Sequence, residues 1–342
     1  MGFLGVANWE HKLIGMGCDG ASVNMGSASG LKGLLTEAKP WIVVFWCLAH
    51  RLQLALKDAL KNTFFAQVDD MLLRIYYLYE NSPQKCAELD GVISELKYCL
   101  EPSDLPTKGG NRPLRACGTR FIAHKVAALQ RIIDRLGAYL SHLSALIEDP
   151  SVKPGDKQKL KGYFSKWHDA KILLGCAYFH DLLKPASILC KVLQEDEVCV
   201  ASAIEAILKT AKNLEKVKST PVDDLTTIKV VLSSITNEND TTTYQGADLK
   251  NFTQAVSFFE ANHSQYCALV QDCLKDRLAT QETALLSHAL TLLATQGWEK
   301  DTSESFAHPA IQALSMRFQI PLQQAQNQHF SFGRGVGCHG HG

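Results

Sequence analysis

Two stretches decide how this chain is read: Lys12-Leu13-Ile14-Gly15-Met16-Gly17-Cys18-Asp19-Gly20-Ala21-Ser22-Val23-Asn24, and Trp41-Ile42-Val43-Val44-Phe45-Trp46-Cys47-Leu48-Ala49-His50-Arg51. The residues up to Cys18 form a short apolar run, and Gly15 and Gly17 let another backbone come close, so a buried strand is expected. Asp19-Gly20-Ala21-Ser22 turns the chain. Met25 to Gly30 leads into a helix carrying Leu31, Leu34 and Leu35 and stopped by Pro40. Trp41 to Cys47 is aromatic and β-branched and predicts a second strand. Ligands collect at the carboxyl ends of parallel strands. Asp19 leaves the first strand at that end.

Beyond His50 the periodicity turns helical. Val68, Met71, Leu72, Ile75 and Leu78-Tyr79 recur at three to four residues, and a shorter helix is expected over about 83–100. Pro102, Pro106, Gly109-Gly110 and Pro113 make 101–115 a loop. Thr119 is an N-cap candidate for a long helix running to about Ile147, with Leu129, Ile132, Ile133, Leu136 and Leu140 in its stripe. Further helices are expected over 156–166, 168–195, 199–217, 247–276 and 278–296, the second kinked or divided at Pro185. Residues 218–246, rich in Thr, Asn and Asp, read as a mobile connection around one short apolar helix or strand. The Gly- and His-rich end, 329–342, reads as disordered, with a metal-binding tail as the alternative. The expected fold class is therefore an α/β portion over 1–60, a mostly α-helical portion over 61–322 and a disordered tail over 323–342, predominantly α overall.

The chain has 342 residues, with 35 basic and 35 acidic side chains, and 46% of its residues are apolar. That composition suits a folded protein with room for more than one core. Zero net charge argues against a dominant basic footprint for nucleic acid and leaves a local patch open. Eleven cysteines at scattered spacings, with no secretory signal pattern at Met1–Val6, predict a reduced intracellular chain. Position 6 is not Ser or Thr, which weakens myristoylation at Gly2. No uninterrupted apolar run approaches the ~20 residues of a membrane span, so no membrane partner is expected.

Cys18-Asp19-Gly20-Ala21-Ser22-Val23-Asn24, followed by Cys47-Leu48-Ala49-His50-Arg51-Leu52 and later by Thr119-Arg120-Phe121, resembles hAT-superfamily DNA transposases. It is closest in look to the vertebrate zinc-finger-type proteins domesticated from them. The resemblance covers about residues 10–320. It implies an RNase H-like core interrupted by a large helical insertion domain, and cutting and joining of DNA by divalent metal held on three carboxylates. In such a site one ion activates the attacking hydroxyl and the other stabilises the leaving oxygen, and hard oxygen ligands suit Mg²⁺ or Mn²⁺.

Asp19 matches the second of the three carboxylates, and it is read as the vestige of a Mg-ligand position. The alternative is a plain turn residue, since Asp-Gly is a common turn dipeptide. The first carboxylate is expected on an earlier strand, yet Glu10 is the only one in residues 1–11. Glu282, Glu299 and Glu304 are available for the third but stand in no matching motif. By resemblance, Cys47 and His50 support the surroundings of the site. Read on their own, they are half of a zinc site, which Cys176 and His180 could complete, or core packing with His50 bonded to backbone. Arg120 and Phe121 match the family's Arg-Trp pair near a DNA end, with Phe keeping a stacking surface and losing the indole donor. The alternative is an Arg packed beside a core Phe.

Lys153, Lys157, Lys159, Lys161 and Lys166, interleaved with Tyr163, Phe164 and Trp167, form a basic run that could track a phosphate backbone or be a solvated helix face. Lys209, Lys212, Lys216 and Lys218 read the same way. The expected function is that of a domesticated, non-catalytic, nuclear protein binding DNA or protein partners, needing no cofactor as it stands. The alternatives are an active metal-dependent transposase or nuclease, and a truncated product without independent function, since the family's first strand and dimerisation region are expected to be missing.

Overall fold

The computed structural model describes residues 13–99, 110–116, 121–195, 200–238, 241–278, 281–293 and 307–327. The protein is predominantly helical. It divides into two compact units: residues 1–54, 193–206 and 274–342 form the first, and 55–192 with 207–273 form the second. The chain thus leaves the first unit after Leu54 and returns to it.

In the first unit, β1 (Gly15–Cys18) lies parallel to β2 (Val43–Trp46), pairing Gly15 with Val43 and Cys18 with Trp46. A parallel pair needs a crossover, and α1 (Ser22–Met25) and α2 (Leu31–Ala38) supply it. Leu35, Ile42 and Val44 are buried together, with Met16, Cys18, Met25 and Leu31 packed on them. Leu34 is 55% exposed, and its neighbour Leu35 takes the core position. The opposite face of the strands meets α12 (Gln281–Leu293) and α13 (His308–Phe318), which pack on each other. Between strands and helices lies an apolar groove of about 430 Å³, bounded by Gly15, Gly17, Val43, Phe45, Leu285 and Phe318. The Arg317 guanidinium donates to the Ile42 carbonyl at 2.8 Å and ties α13 to the start of β2. α3 (Leu48–Leu60) begins two residues after β2 ends.

In the second unit, α8 (Ala170–Val192) is the core helix. It packs against α4 (Phe65–Glu80), α6 (Phe121–Glu148), α7 (Pro154–Trp167) and α10 (Thr226–Ser233). α5 (Pro83–Cys99) packs on α4 and α6. Among the described helices α8 is long and apolar enough to cross a membrane by length and composition, but 89% of its most apolar stretch is buried. Counting consecutive apolar residues misses it, because Asp181 and Lys184 interrupt the run. Asp181 is buried and caps α10, accepting from the Thr227 N–H at 2.7 Å and from the Thr227 hydroxyl at 2.6 Å. α9 (Val200–Ser219) and α11 (Phe252–Leu278) complete the helices of the central region. Phe65, Tyr178, Phe179 and Phe259 are buried in one aromatic cluster.

Three expectations are corrected. Residues 218–246 are not a loose connection. A 3₁₀ turn at Val222–Asp224 and α10 lead into an antiparallel sheet of β3 (Ile235–Glu238), β4 (Thr241–Tyr244) and β5 (Ala247–Leu249). Thr is β-branched and suits a strand, and buried Tyr244 and Leu249 anchor the sheet, so composition alone misleads here. Residues 247–249 are accordingly strand, and α11 begins only at Phe252. Pro185 does not divide α8, which runs through it; the proline is buried in a helix held by packing along most of its length.

Candidate functional site

The carboxyl ends of β1 and β2 bring Asp19, Cys47 and His50 into one neighbourhood. Parallel pairing forces this: Cys18 lies opposite Trp46, and the Cys47 N–H donates to the Cys18 carbonyl at 2.7 Å. Asp19 follows β1 directly, and Cys47 and His50 follow β2 into the first turn of α3.

Asp19 is exposed, and its Oδ1 accepts two bonds, from the Ala21 N–H at 3.1 Å and the Asn24 amide at 2.7 Å. These bonds, Asn24 foremost and Ala21 next, with a smaller contribution from the nearby His50, hold the carboxyl below its ordinary range. Asp19 therefore closes the turn that carries the chain into α1. Beside it, burial and the Asp19 charge push the Cys18 thiol up, and its S–H donates to the Met25 thioether at 3.4 Å.

Cys47 and His50 are both exposed, so packing in the core is not their role. The His50 ring lies 6.2 Å from the Trp46 ring, and the Arg51 guanidinium lies 5.5 Å from the same ring. Trp46 in turn lies close over Gly20. A Cβ on Gly20 would fall 2.3 Å from the indole, so only glycine fits beneath it. The indole N–H is buried and finds no acceptor among the described residues. The site is thus a short polar shelf of exposed carboxylate, imidazole and thiol beside one indole, with the Arg51 side chain buried against that ring.

The other candidate residues fall elsewhere or outside. Glu10, Arg120, Glu299, Glu304 and Thr119 lie outside the described residues. Phe121 opens α6 and Glu282 lies in α12, but the description does not extend to either side chain. Cys176 is buried, its thiol pushed far up by burial, and the His180 Nδ1 bonds the Thr227 hydroxyl at 2.8 Å. That pair serves the core of the second unit. Among the described residues no three His, Cys, Asp or Glu side chains gather as a metal site. The lysine run lies on the solvent side of α7, while Trp167 is buried and Tyr163 and Phe164 are half-buried.

Asn24, Trp46 and Arg317 are parts that sequence reasoning did not single out. Asn24 could have been found, since an Asp followed five residues later by an Asn across a Gly-containing turn invites such a bond. Trp46 and Arg317 act through contacts that only the pairing of β1 with β2 and the return of the chain create. Comparison of the chain with protein-family models, curated proteins and solved structures finds no match.

Proposed function

We propose that the protein is a DNA-binding protein of the hAT transposase type, with β1 and β2 belonging to an RNase H-like core and the second unit an insertion within it. The observation that carries this reading is the discontinuous first unit. Its strand pair comes before the helical unit and its packing helices after it, with α12 against β2 and Arg317 on the Ile42 carbonyl. A helical domain inserted into a sheet domain produces that chain order.

In this reading Asp19 stands where the family holds a metal ion but acts as a turn builder, with Oδ1 committed to Ala21 and Asn24. The protein then works in the nucleus by binding rather than by cutting, and needs neither Mg²⁺ nor Mn²⁺ for that task. The test pairs two assays on the full chain. A gel shift at low salt is expected to show DNA binding. Incubation of DNA with Mg²⁺ or Mn²⁺ is expected to leave it uncut. Metal-dependent cleavage lost in Asp19→Asn would overturn the non-catalytic reading, and absence of any DNA affinity would leave protein partners as the remaining role.

A further inference from the structure

We infer that the solvent face of α7 is the surface on which the protein carries the phosphate backbone of duplex DNA. This rests on the DNA-binding reading above and names the surface responsible. Between Lys153 and Trp167 the chain places five lysines against a single acid, Asp156, in a protein whose charges cancel over its whole length. The helix fixes their arrangement. Lys157 and Lys161 stand four residues apart along one flank, Lys153 stands at the N-cap just before the helix, and Lys159 and Lys166, seven apart, occupy the other flank. Between the flanks lie Gln158, Gly162 and Ser165, all exposed. The lysines span about 20 Å of helix axis. A duplex presents a negative charge about every 1.7 Å of its own axis, so such a span faces several phosphates at once.

The rest of the helix decides the class of partner. Leu160 and Trp167 are buried. The aromatic Tyr163 faces Arg74, whose guanidinium donates to its hydroxyl at 3.2 Å and lies 5.3 Å from its ring. No broad apolar face is left for a lipid surface, which an interfacial helix requires. Half-buried Phe164 lies among the lysines but packs on the His168 ring, 4.4 Å between centroids. Among the described residues of this helix each aromatic is thus buried or already engaged, and none is a free platform for unpaired bases, which single-strand binding requires. What remains is charge displayed on a rigid rod, which suits a duplex backbone and reads no sequence. Two acids moderate the patch. Asp156 pairs with Lys159 at 3.3 Å, and Asp149 feels the charge of Lys157. The lysines still outnumber these two, and Lys159 keeps 70% of its side chain exposed.

The test measures binding of a short labelled DNA duplex of mixed sequence to the full chain over a salt series. It compares the unaltered protein with the combined substitution Lys157→Gln, Lys159→Gln, Lys161→Gln and Lys166→Gln. A control carries Lys209→Gln, Lys212→Gln and Lys216→Gln on the exposed side of α9. All the altered positions are solvent-facing or half-buried on helix surfaces, and unchanged circular dichroism and unfolding midpoints establish that each variant is folded. The α7 variant is expected to lose roughly tenfold or more in affinity, with the salt slope reduced by up to about 0.9 for each phosphate no longer neutralised. The control is expected to bind as the unaltered protein does. Equal binding and an equal salt slope in the folded α7 variant would overturn the surface assignment while leaving DNA binding intact. No binding by the unaltered protein would overturn both. An equal loss in the α9 control would reduce the effect to net charge and overturn the assignment to α7.

Discussion

Gln245 inserts its side-chain amide between two backbone groups of α6 that stand four residues apart. Its Oε1 accepts from the Gly137 N–H at 3.1 Å and its Nε2 donates to the Ile133 carbonyl at 2.9 Å, where the Tyr244 hydroxyl also donates. Those two backbone groups are the natural partners of one helical hydrogen bond. Gln245 reaches them from the β4–β5 turn, where it and Gly246 both hold positive φ, as a two-residue hairpin of this hand requires. Asn is the more usual residue at such a position, but its amide is one methylene short of α6. Gln245→Asn is therefore expected to keep the turn and lose the bridge, costing about 1 kcal/mol of stability in urea unfolding. Gly137→Ala is the sharper test. Alanine is the better helix former by about 1 kcal/mol. Here, however, its Cβ would fall 2.3 Å from the Gln245 carbonyl oxygen. Overpacking of that kind costs about 1–3 kcal/mol, so the net effect is expected to be destabilising. A more stable Gly137→Ala protein would show that the hairpin does not hold this position.

Lys125 is 1% exposed and pairs with Asp69 across the α6–α4 contact. Burial pushes the ammonium down to about 8, so its charge is costly where it sits. Removing the carboxylate alone leaves that cost uncompensated, and Asp69→Ala is expected to lose about 3 kcal/mol. Lys125→Met removes the charge and keeps the packing, and is expected to be near neutral or stabilising. The sign with pH follows from the lowered value. Between about 8 and the ordinary lysine value near 10.4 the unfolded chain binds more protons, so stability rises with pH across that window. Loss of that rise in Lys125→Met, read from unfolding midpoints at several alkaline pH values, would assign it to this residue.

The β1–turn–helix–β2–helix order could be read from residues 12–60 because each part carries a local signal. Glycines mark the first strand, Asp-Gly the turn, Pro40 the helix stop and Trp41–Cys47 the second strand. The sheet of β3, β4 and β5 was illegible because its strands are short and Thr-rich, and its anchors, Tyr244 and Gln245, find their partners on α6 more than a hundred residues away. The direction of a side chain was equally hidden. Tyr163 and Trp167 look like stacking partners for the lysines around them, yet helical geometry turns Trp167 inward and Tyr163 toward Arg74. At the candidate site the residue types were legible and the Gly20–Trp46 fit was not, since nothing local records which indole will lie over a glycine.

His142, 2% exposed, joins three helices. Its Nδ1 meets the Tyr79 hydroxyl at 2.9 Å and its Nε2 the Glu88 carboxylate at 3.1 Å. Burial holds the imidazole below its ordinary value, with the bond to Glu88 opposing and Lys85 reinforcing the shift. The unfolded chain accordingly takes up this proton first as pH falls. The stability tied to the neutral ring is complete above about 6.5 and declines as pH drops through the folded value. His142→Gln, which can donate and accept but cannot charge, is expected to flatten the fall in unfolding midpoint below about pH 6.5. An unchanged slope would place the acid sensitivity on other groups.

Gly20 and Trp46 test whether the polar shelf depends on a single fit. A methyl on Gly20 would overlap Cζ2, Cε2 and Nε1 of the indole at 2.3–2.5 Å, a rigid ring and not a yielding chain end. Gly17, two residues before Asp19, is the internal contrast, because a Cβ there meets nothing within 4 Å. Gly20→Ala is expected to cost about 1–3 kcal/mol and to shift the Trp46 emission as the ring leaves its place beside Arg51. Gly17→Ala is expected to cost less than about 1 kcal/mol. The decisive measurement is the double change. In Trp46→Phe a smaller ring leaves room for the methyl, so adding Gly20→Ala is expected to cost less than it does in the unaltered protein. The coupling should reach about 1 kcal/mol, since residues in direct contact depart from additivity by that order. Strict additivity would mean that the turn at Asp19 is held by Asn24 and Ala21 alone and that the indole contributes nothing to it.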